Sequence, residues 1–198
     1  MTSSDLKQIQ ISSAIDLFSE GEVNQALDAV QDLLKDYPNE PVLFNIKGAC
    51  YADLGQLDVA VTNYKEAITI KPDYAKAHFN LAGSLHDLGQ LETAVQSYQK
   101  AIEIDASYAE AYNNLGNVYQ ELKQVDSAVN SYKMALEIKP DYVAAQYSLG
   151  NTFMELGQLE EAVKSYKAVL KLKPSFAGAY NKLGSTLLEL DQLDESVR

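Results

Sequence analysis

An all-α fold, built as a stack of antiparallel helix pairs, is predicted by three features of the sequence. A phrase recurs at a fixed 34-residue period, from Pro38 to Pro72 and again from Pro140 to Pro174. Each period carries two apolar stripes of helical spacing. Glycine and proline punctuate the same places in successive periods, as repeated helix ends require.

The proline column sets the register: Pro38, Pro72, Pro140 and Pro174, with Ala106 where a fifth member falls. Repeats then run 7–40, 41–74, 75–108, 109–142 and 143–176, with a partial one over 177–198. In the fourth repeat Tyr112, Leu115, Gly116 and Tyr119 fall at i, i+3, i+4 and i+7, one apolar face of a first helix. A second helix follows through Ala128, Tyr132 and Ala135. Gly21, Gly55, Gly89 and Gly157 stand between the helices, where a left-handed cap is needed. Lys123 and Asp191 break that column, and a left-handed backbone at either costs about 1 kcal/mol relative to glycine. The prolines are expected to stop the second helices.

Small residues form two columns where helices must approach closely. One is Ala14, Gly48, Ala82, Gly116, Gly150 and Gly184; the other is Ala26, Ala60, Ala94, Ala128 and Ala162. A bulky column faces them: Val30, then Tyr64, Tyr98, Tyr132 and Tyr166. Small-against-large packing makes a stack in which each repeat buries its face on its neighbours. This pattern resembles the tetratricopeptide repeat over residues 7–198. The resemblance implies a single right-handed superhelical solenoid whose first helices line a concave groove. It also implies a non-catalytic scaffold that holds proteins or peptides there.

Composition narrows the partners. The formal charge is −12, and the single arginine is Arg198. Nucleic-acid binding draws on many Lys and Arg contacts to phosphate, so nucleic acid is not expected as a partner. Charge is uneven: residues 1–40 hold eight acids and two lysines, residues 143–176 three acids and four lysines. No 18-residue apolar run is present for membrane insertion, and "MTSSDLKQIQ" lacks the apolar core of a secretory signal. The lone Cys50 suits a reducing, cytoplasmic setting.

On the first-helix faces the candidate groove residues are Asn80, Asn113, Asn114, Asn117 and Asn151, with Phe79, His86 and Tyr147 beside them. Asparagine offers a donor and an acceptor, so it can pair with the backbone of an extended peptide whatever its side chains. The arrangement resembles the asparagine ladder in repeats of O-linked N-acetylglucosamine transferases, with Ser12, Ile46, Ser148 and Lys182 departing from it. Replacing Asn114 and Asn117 by alanine is expected to weaken partner binding with little change in thermal stability. Phe79, His86, Tyr147 and Met154 are expected to tune selectivity. An acidic column, Asp53, Asp87, Glu121, Glu155 and Glu189, with Ser19 in the first repeat, ends the first helices against the helix dipole. It favours an extended, basic or neutral segment. The clamp with which some family members hold acidic chaperone tails is not expected, since only scattered lysines such as Lys76 are present.

Catalytic and cofactor motifs are absent: no GxxxxGK, GxGxxG or GxSxG, and two histidines with one cysteine lack metal-ligand spacing. Cofactors are therefore not expected. His78 reads as packed and hydrogen-bonded, and Cys50 as a small core residue. The sequence stops at "LLELDQLDESVR", inside the second helix of a sixth repeat, leaving Leu187, Leu190, Leu193 and Val197 half covered. An N-terminal piece of a longer chain is expected, either a free scaffold or the substrate-recognition arm of a glycosyltransferase, sulfotransferase or oxygenase. Self-association through that uncapped helix is the other expectation. Ser3 and Ser4 stand as caps for the first helix.

Overall fold

The computed structural model describes the backbone over residues 3–196 and the side chains over 5–191. Every regular element among them is a helix. In order these are α1 (Ser3–Ser19), α2 (Val23–Asp36), α3 (Pro41–Asp53), α4 (Leu57–Ile70), α5 (Ala75–Asp87), α6 (Leu91–Ile104), α7 (Ala109–Glu121), α8 (Val125–Ile138), α9 (Val143–Glu155), α10 (Leu159–Leu172) and α11 (Ala177–Ser196). None of these helices is long and apolar enough to cross a membrane.

The chain divides into two compact blocks, Met1–Ala106 and Ser107–Arg198. In the first block α1 to α6 pack each on the next, and the first helices α1, α3 and α5 also touch in sequence. In the second, α7 to α11 repeat the arrangement, with α7, α9 and α11 in contact. Each block is thus a run of packed helix pairs.

One turn geometry joins the helices of each pair. After α3, Gln56 N–H donates to Tyr51 C=O at 2.8 Å and Gly55 N–H to Ala52 C=O at 3.0 Å, with Gly55 at φ 73°. This double bond around a left-handed residue is the Schellman stop. It recurs at Gly21, Gly89 and Gly157, as the glycine column predicts. Lys123 takes it too, at φ 60°, with Lys123 N–H on Gln120 C=O at 3.0 Å and Gln124 N–H on Tyr119 C=O at 2.8 Å. Asp191 does not: α11 runs unbroken from Ala177 to Ser196, so the expected turn of the sixth repeat is absent. Asp191 lacks the freedom of glycine, and α11 follows the helical path that asks least of it.

The prolines stand just past the second-helix ends, as expected of a helix stop. Each second helix ends two residues before its proline, and α6 ends at the same place ahead of Ala106. Proline occupies the second position of a turn, in which Tyr74 N–H reaches Lys71 C=O at 3.2 Å and Tyr142 N–H reaches Lys139 C=O at 3.1 Å.

The core is the small-against-large packing. A methyl group added at Gly48 would lie 2.6 Å from the Tyr64 ring, and one at Gly116 would lie 2.6 Å from Tyr132. At Gly150 the distance to Tyr166 is 2.8 Å. Ala26, Ala60, Ala94, Ala128 and Ala162 are buried, as are Val30 and all four tyrosines. Ser3 and Ser4 fall within α1, and their side chains lie outside the described residues, as do those of Leu193 and Val197.

Candidate functional site

The first-helix faces differ between the blocks. In the first block they enclose a cavity of about 550 Å³. Ile15, Phe18 and Ser19 of α1 form one wall; Val42, Ile46, Ala49, Ala52 and Asp53 of α3 form the floor. Lys76 and Asn80 of α5 form the other wall, and Tyr64 and Tyr74 close the cavity from behind. Ala49 and Ala52 are short here, where α7 carries Asn117 and Gln120 at the same repeat positions. Ile15 remains 41% exposed beside it, an apolar residue with unused surface.

Two amides bridge this cavity. Asn80 Nδ2 donates to Asn45 Oδ1 at 3.0 Å, linking α5 to α3. Asn45 is only 4% exposed, yet it lines the cavity. The bond leaves Asn45 Nδ2 as a donor and Asn80 Oδ1 as an acceptor, the pair that a peptide backbone needs. Of the candidate groove amides and aromatics expected from sequence, Asn80 alone lines this cavity, together with Asp53 and Ser19 of the acidic column. Asn45 was missed, although it shares the repeat position of Asn113.

In the second block the amides are braced against the packing tyrosines. The single Tyr132 hydroxyl proton is shared between two acceptors, Asn117 Oδ1 at 2.8 Å and Gln120 Oε1 at 3.0 Å from Oη. Tyr166 Oη donates to Asn151 Oδ1 at 2.9 Å. Asn113 is 5% exposed; its Nδ2 donates to Asn114 Oδ1 at 3.1 Å, and its own Oδ1 is buried without a donor. Asn114, Asn117 and Asn151 are half-buried. Asn117 therefore has an internal role that the sequence did not disclose, and the expectation of little stability change on its removal is corrected accordingly.

The aromatics are also partly engaged. Phe79 stands edge-on to Tyr98 with centroids 5.7 Å apart. Tyr147 packs on Tyr166 at 5.9 Å and Phe176 at 4.9 Å. His86 is half-buried, and His78 Nε2 pairs with Pro72 C=O at 3.0 Å, as expected for a packed histidine. Asp53, Asp87, Glu121, Glu155 and Glu189 are all exposed, and all but Glu189 are the last residue of a first helix. Gln120 Nε2 donates to Glu155 Oε1 at 3.1 Å, tying α7 to α9.

The phenols and the thiol here are kept neutral. Burial pushes the Tyr64 phenol well up, and burial with the Glu40 carboxylate raises Tyr74. Burial, then the Asp53 charge, moves the Cys50 thiol up to about 11, far from a reactive thiolate. The arrangement is suited to holding a ligand by shape and amide bonds.

Comparisons with known proteins agree. A model described as TPR repeat matches residues 48–88, 82–123 and 150–191, and a tetratricopeptide repeat model matches residues 109–142. The chain is similar to a peroxisomal targeting signal receptor of Candida glabrata, 30% identical over 76 residues, which are 38% of this chain and 13% of that protein. It is similar to Hsp70-Hsp90 organizing protein 2 of Arabidopsis thaliana, 34% identical over 59 residues, or 30% of this chain and 10% of that one. The chain thus spans only about 13% of the length of the peroxisomal receptor. Among solved structures, MamA aligns with a TM-score of 0.74 at 27% identity, over 83% of this chain and 96% of that one. A thermophilic TPR protein of Thermus thermophilus, TTC0263, aligns with a TM-score of 0.71 at 24% identity, over 92% of this chain and 99% of that one, and shows the fold alone. With its repeat columns, its paired helices and the matched family models, the chain belongs to the tetratricopeptide repeat family.

Proposed function

We propose that this chain is a non-catalytic scaffold that holds an extended polypeptide along the faces of its first helices. The observation that carries the proposal is the Asn80–Asn45 bridge, which leaves one amide donor and one acceptor beside an open cavity. Backbone pairing of this kind holds a segment without reading its sequence closely. The exposed acids at the helix ends add a preference for basic or neutral segments. Relatives named as a targeting-signal receptor and as an organizing protein for two chaperones support the reading.

Asn80, Asn114 and the amide nitrogens of Asn113, Asn117 and Asn151 are the proposed peptide contacts. Phe79, His86, Asp87, Glu121, Tyr147 and Glu155 border them. The likeness of Asn80 and Asn114 to the asparagine ladder favours, as a second reading, a substrate-recognition arm of a larger enzyme. The intact mass of the protein purified from its source separates the two.

The test of the first reading is fluorescence anisotropy with a panel of unrelated extended peptides. Asn80→Ala is expected to weaken all of them by a similar factor of about tenfold, the value of one or two hydrogen bonds. A panel in which no peptide responds to Asn80→Ala would remove the amide contacts from the mechanism.

A further inference from the structure

The cavity of the first block has a chemistry that backbone pairing does not use. Its walls are Ile15, Phe18 and Ile46 around the short Ala49 and Ala52, so much of its lining is apolar. Opposite charges stand at its two ends, Lys76 in the first turn of α5 and Asp53 at the end of α3. The 34-residue period sets α3 and α5, joined by the Asn45–Asn80 bond, parallel and in register. Lys76 is then level with Val42, and Asp53 lies 11 residues further along the axis, roughly 16 Å away at 1.5 Å per residue. An extended chain covers that span in about five residues.

From this geometry we infer an occupant: an extended peptide that seats one large apolar side chain, Leu, Ile, Met or Phe, between Ile15, Phe18 and Ile46. Its acidic residue on one flank meets Lys76, and a basic residue on the other flank meets Asp53. Asn45 Nδ2 and Asn80 Oδ1 hold the backbone next to the anchor. The cavity volume matches that of sites which take a compact ligand group, and its apolar walls are wasted on a purely polar one. The inference rests on the scaffold reading and gives it a selectivity.

The decisive variant is Ala49→Asn. It places in this repeat the asparagine that stands at the same position in Asn117 and Asn151, where it accepts from the packing tyrosine. The new side chain has a ready partner in the Tyr64 hydroxyl, so the fold is kept while the cavity is filled. The experiment is selection from a random twelve-residue peptide display library on the whole chain, followed by affinity measurement of the enriched peptides on wild type and Ala49→Asn. The expected result is enrichment of one large apolar residue flanked by an acid and a base. Those peptides should lose about tenfold or more on Ala49→Asn, as burial of one such side chain implies, with the melting temperature unchanged. Lys76→Glu should in turn select peptides with a base in place of the acid. Enriched peptides that bind Ala49→Asn undiminished would overturn the cavity assignment and leave the scaffold reading standing. A library that yields no binder would overturn both.

Discussion

The same repeat positions make an open cavity in one block and a braced amide surface in the other. Ala49 and Ala52 of α3 correspond to Asn117 and Gln120 of α7, one 34-residue period repeated twice between them. Where the side chains are methyl groups, a cavity opens beside Tyr64. Where they are amides, the Asn117 and Gln120 oxygens stand over the Tyr132 hydroxyl and share its one proton. The packing tyrosine is constant; what lies over its hydroxyl differs, an open space beside Tyr64 and amide side chains at Tyr132. A tetratricopeptide scaffold can thus change its ligand surface without touching its core.

The largest expected effect follows from the tyrosines that both blocks share. Tyr132 and Tyr166 are fully buried, and desolvation pushes both phenols up to about 12 from an ordinary value near 10. The folded state holds these protons more tightly than the unfolded state does. Stability is therefore constant below about pH 10 and falls as pH rises from 10 to 12, by roughly 1.4 kcal/mol per pH unit for each tyrosine. Urea unfolding at intervals across that range should show the decline, and Tyr132→Phe should remove one tyrosine's share of it. A profile with no loss above pH 10 would mean that the phenols are hydrated and the packing described here is looser.

Next in size is the cost of a methyl group under the tyrosine ring. Gly116→Ala and Gly48→Ala each place a carbon 2.6 Å from a buried ring and should cost about 1–3 kcal/mol, alike in both blocks. Gly184→Ala meets nothing within 4 Å and should gain up to about 1 kcal/mol from helix propensity. Thermal unfolding of the three variants measures the contrast. Equal effects at all three positions would show that the small column is there for propensity and not for packing.

The amide brace is worth less. Asn117→Ala removes one acceptor of the Tyr132 hydroxyl while Gln120 remains, so about 0.5–1.5 kcal/mol should be lost. Asn114→Ala, whose side chain only receives Asn113, should cost less than Asn117→Ala. Chemical denaturation of the two single variants sharpens the distinction between an amide that supports the core and one that faces a ligand.

How much of this could be read in the sequence depends on how local each feature is. The period, the small and bulky columns and the left-handed glycines are matters of spacing along one chain, and the structure follows them closely. The Tyr132–Asn117 bond was within reach, because the 15-residue separation recurs at Tyr166–Asn151, but it needs two helices placed in space. The cavity was out of reach. It arises from what Ala49 and Ala52 leave vacant between side chains of α1, α3 and α5, and an absence has no motif. The proline column was legible for the same reason as the glycines: it marks the turn just past each second-helix end, although α6 stops at the same place without it.

The smallest expected gain lies at Lys123. This residue holds the left-handed conformation at φ 60° that glycine holds in the other four turns. The Schellman bonds are intact around it, so the turn is imposed by the packing of α7 on α8 and not chosen by the residue. Its Cβ raises the cost of this conformation by roughly 1 kcal/mol relative to glycine, partly offset because glycine leaves the unfolded chain freer. Lys123→Gly should therefore raise stability by a net few tenths to about 1 kcal/mol, read as a higher urea midpoint at unchanged slope. Gly55→Lys, the reverse change in the first block, should lower it by a similar amount, since a Cβ there also meets open space and only the backbone term differs. If Lys123→Gly instead destabilises the chain, the lysine side chain contributes contacts that outweigh the strain, and the two blocks differ in their turns as well as in their grooves.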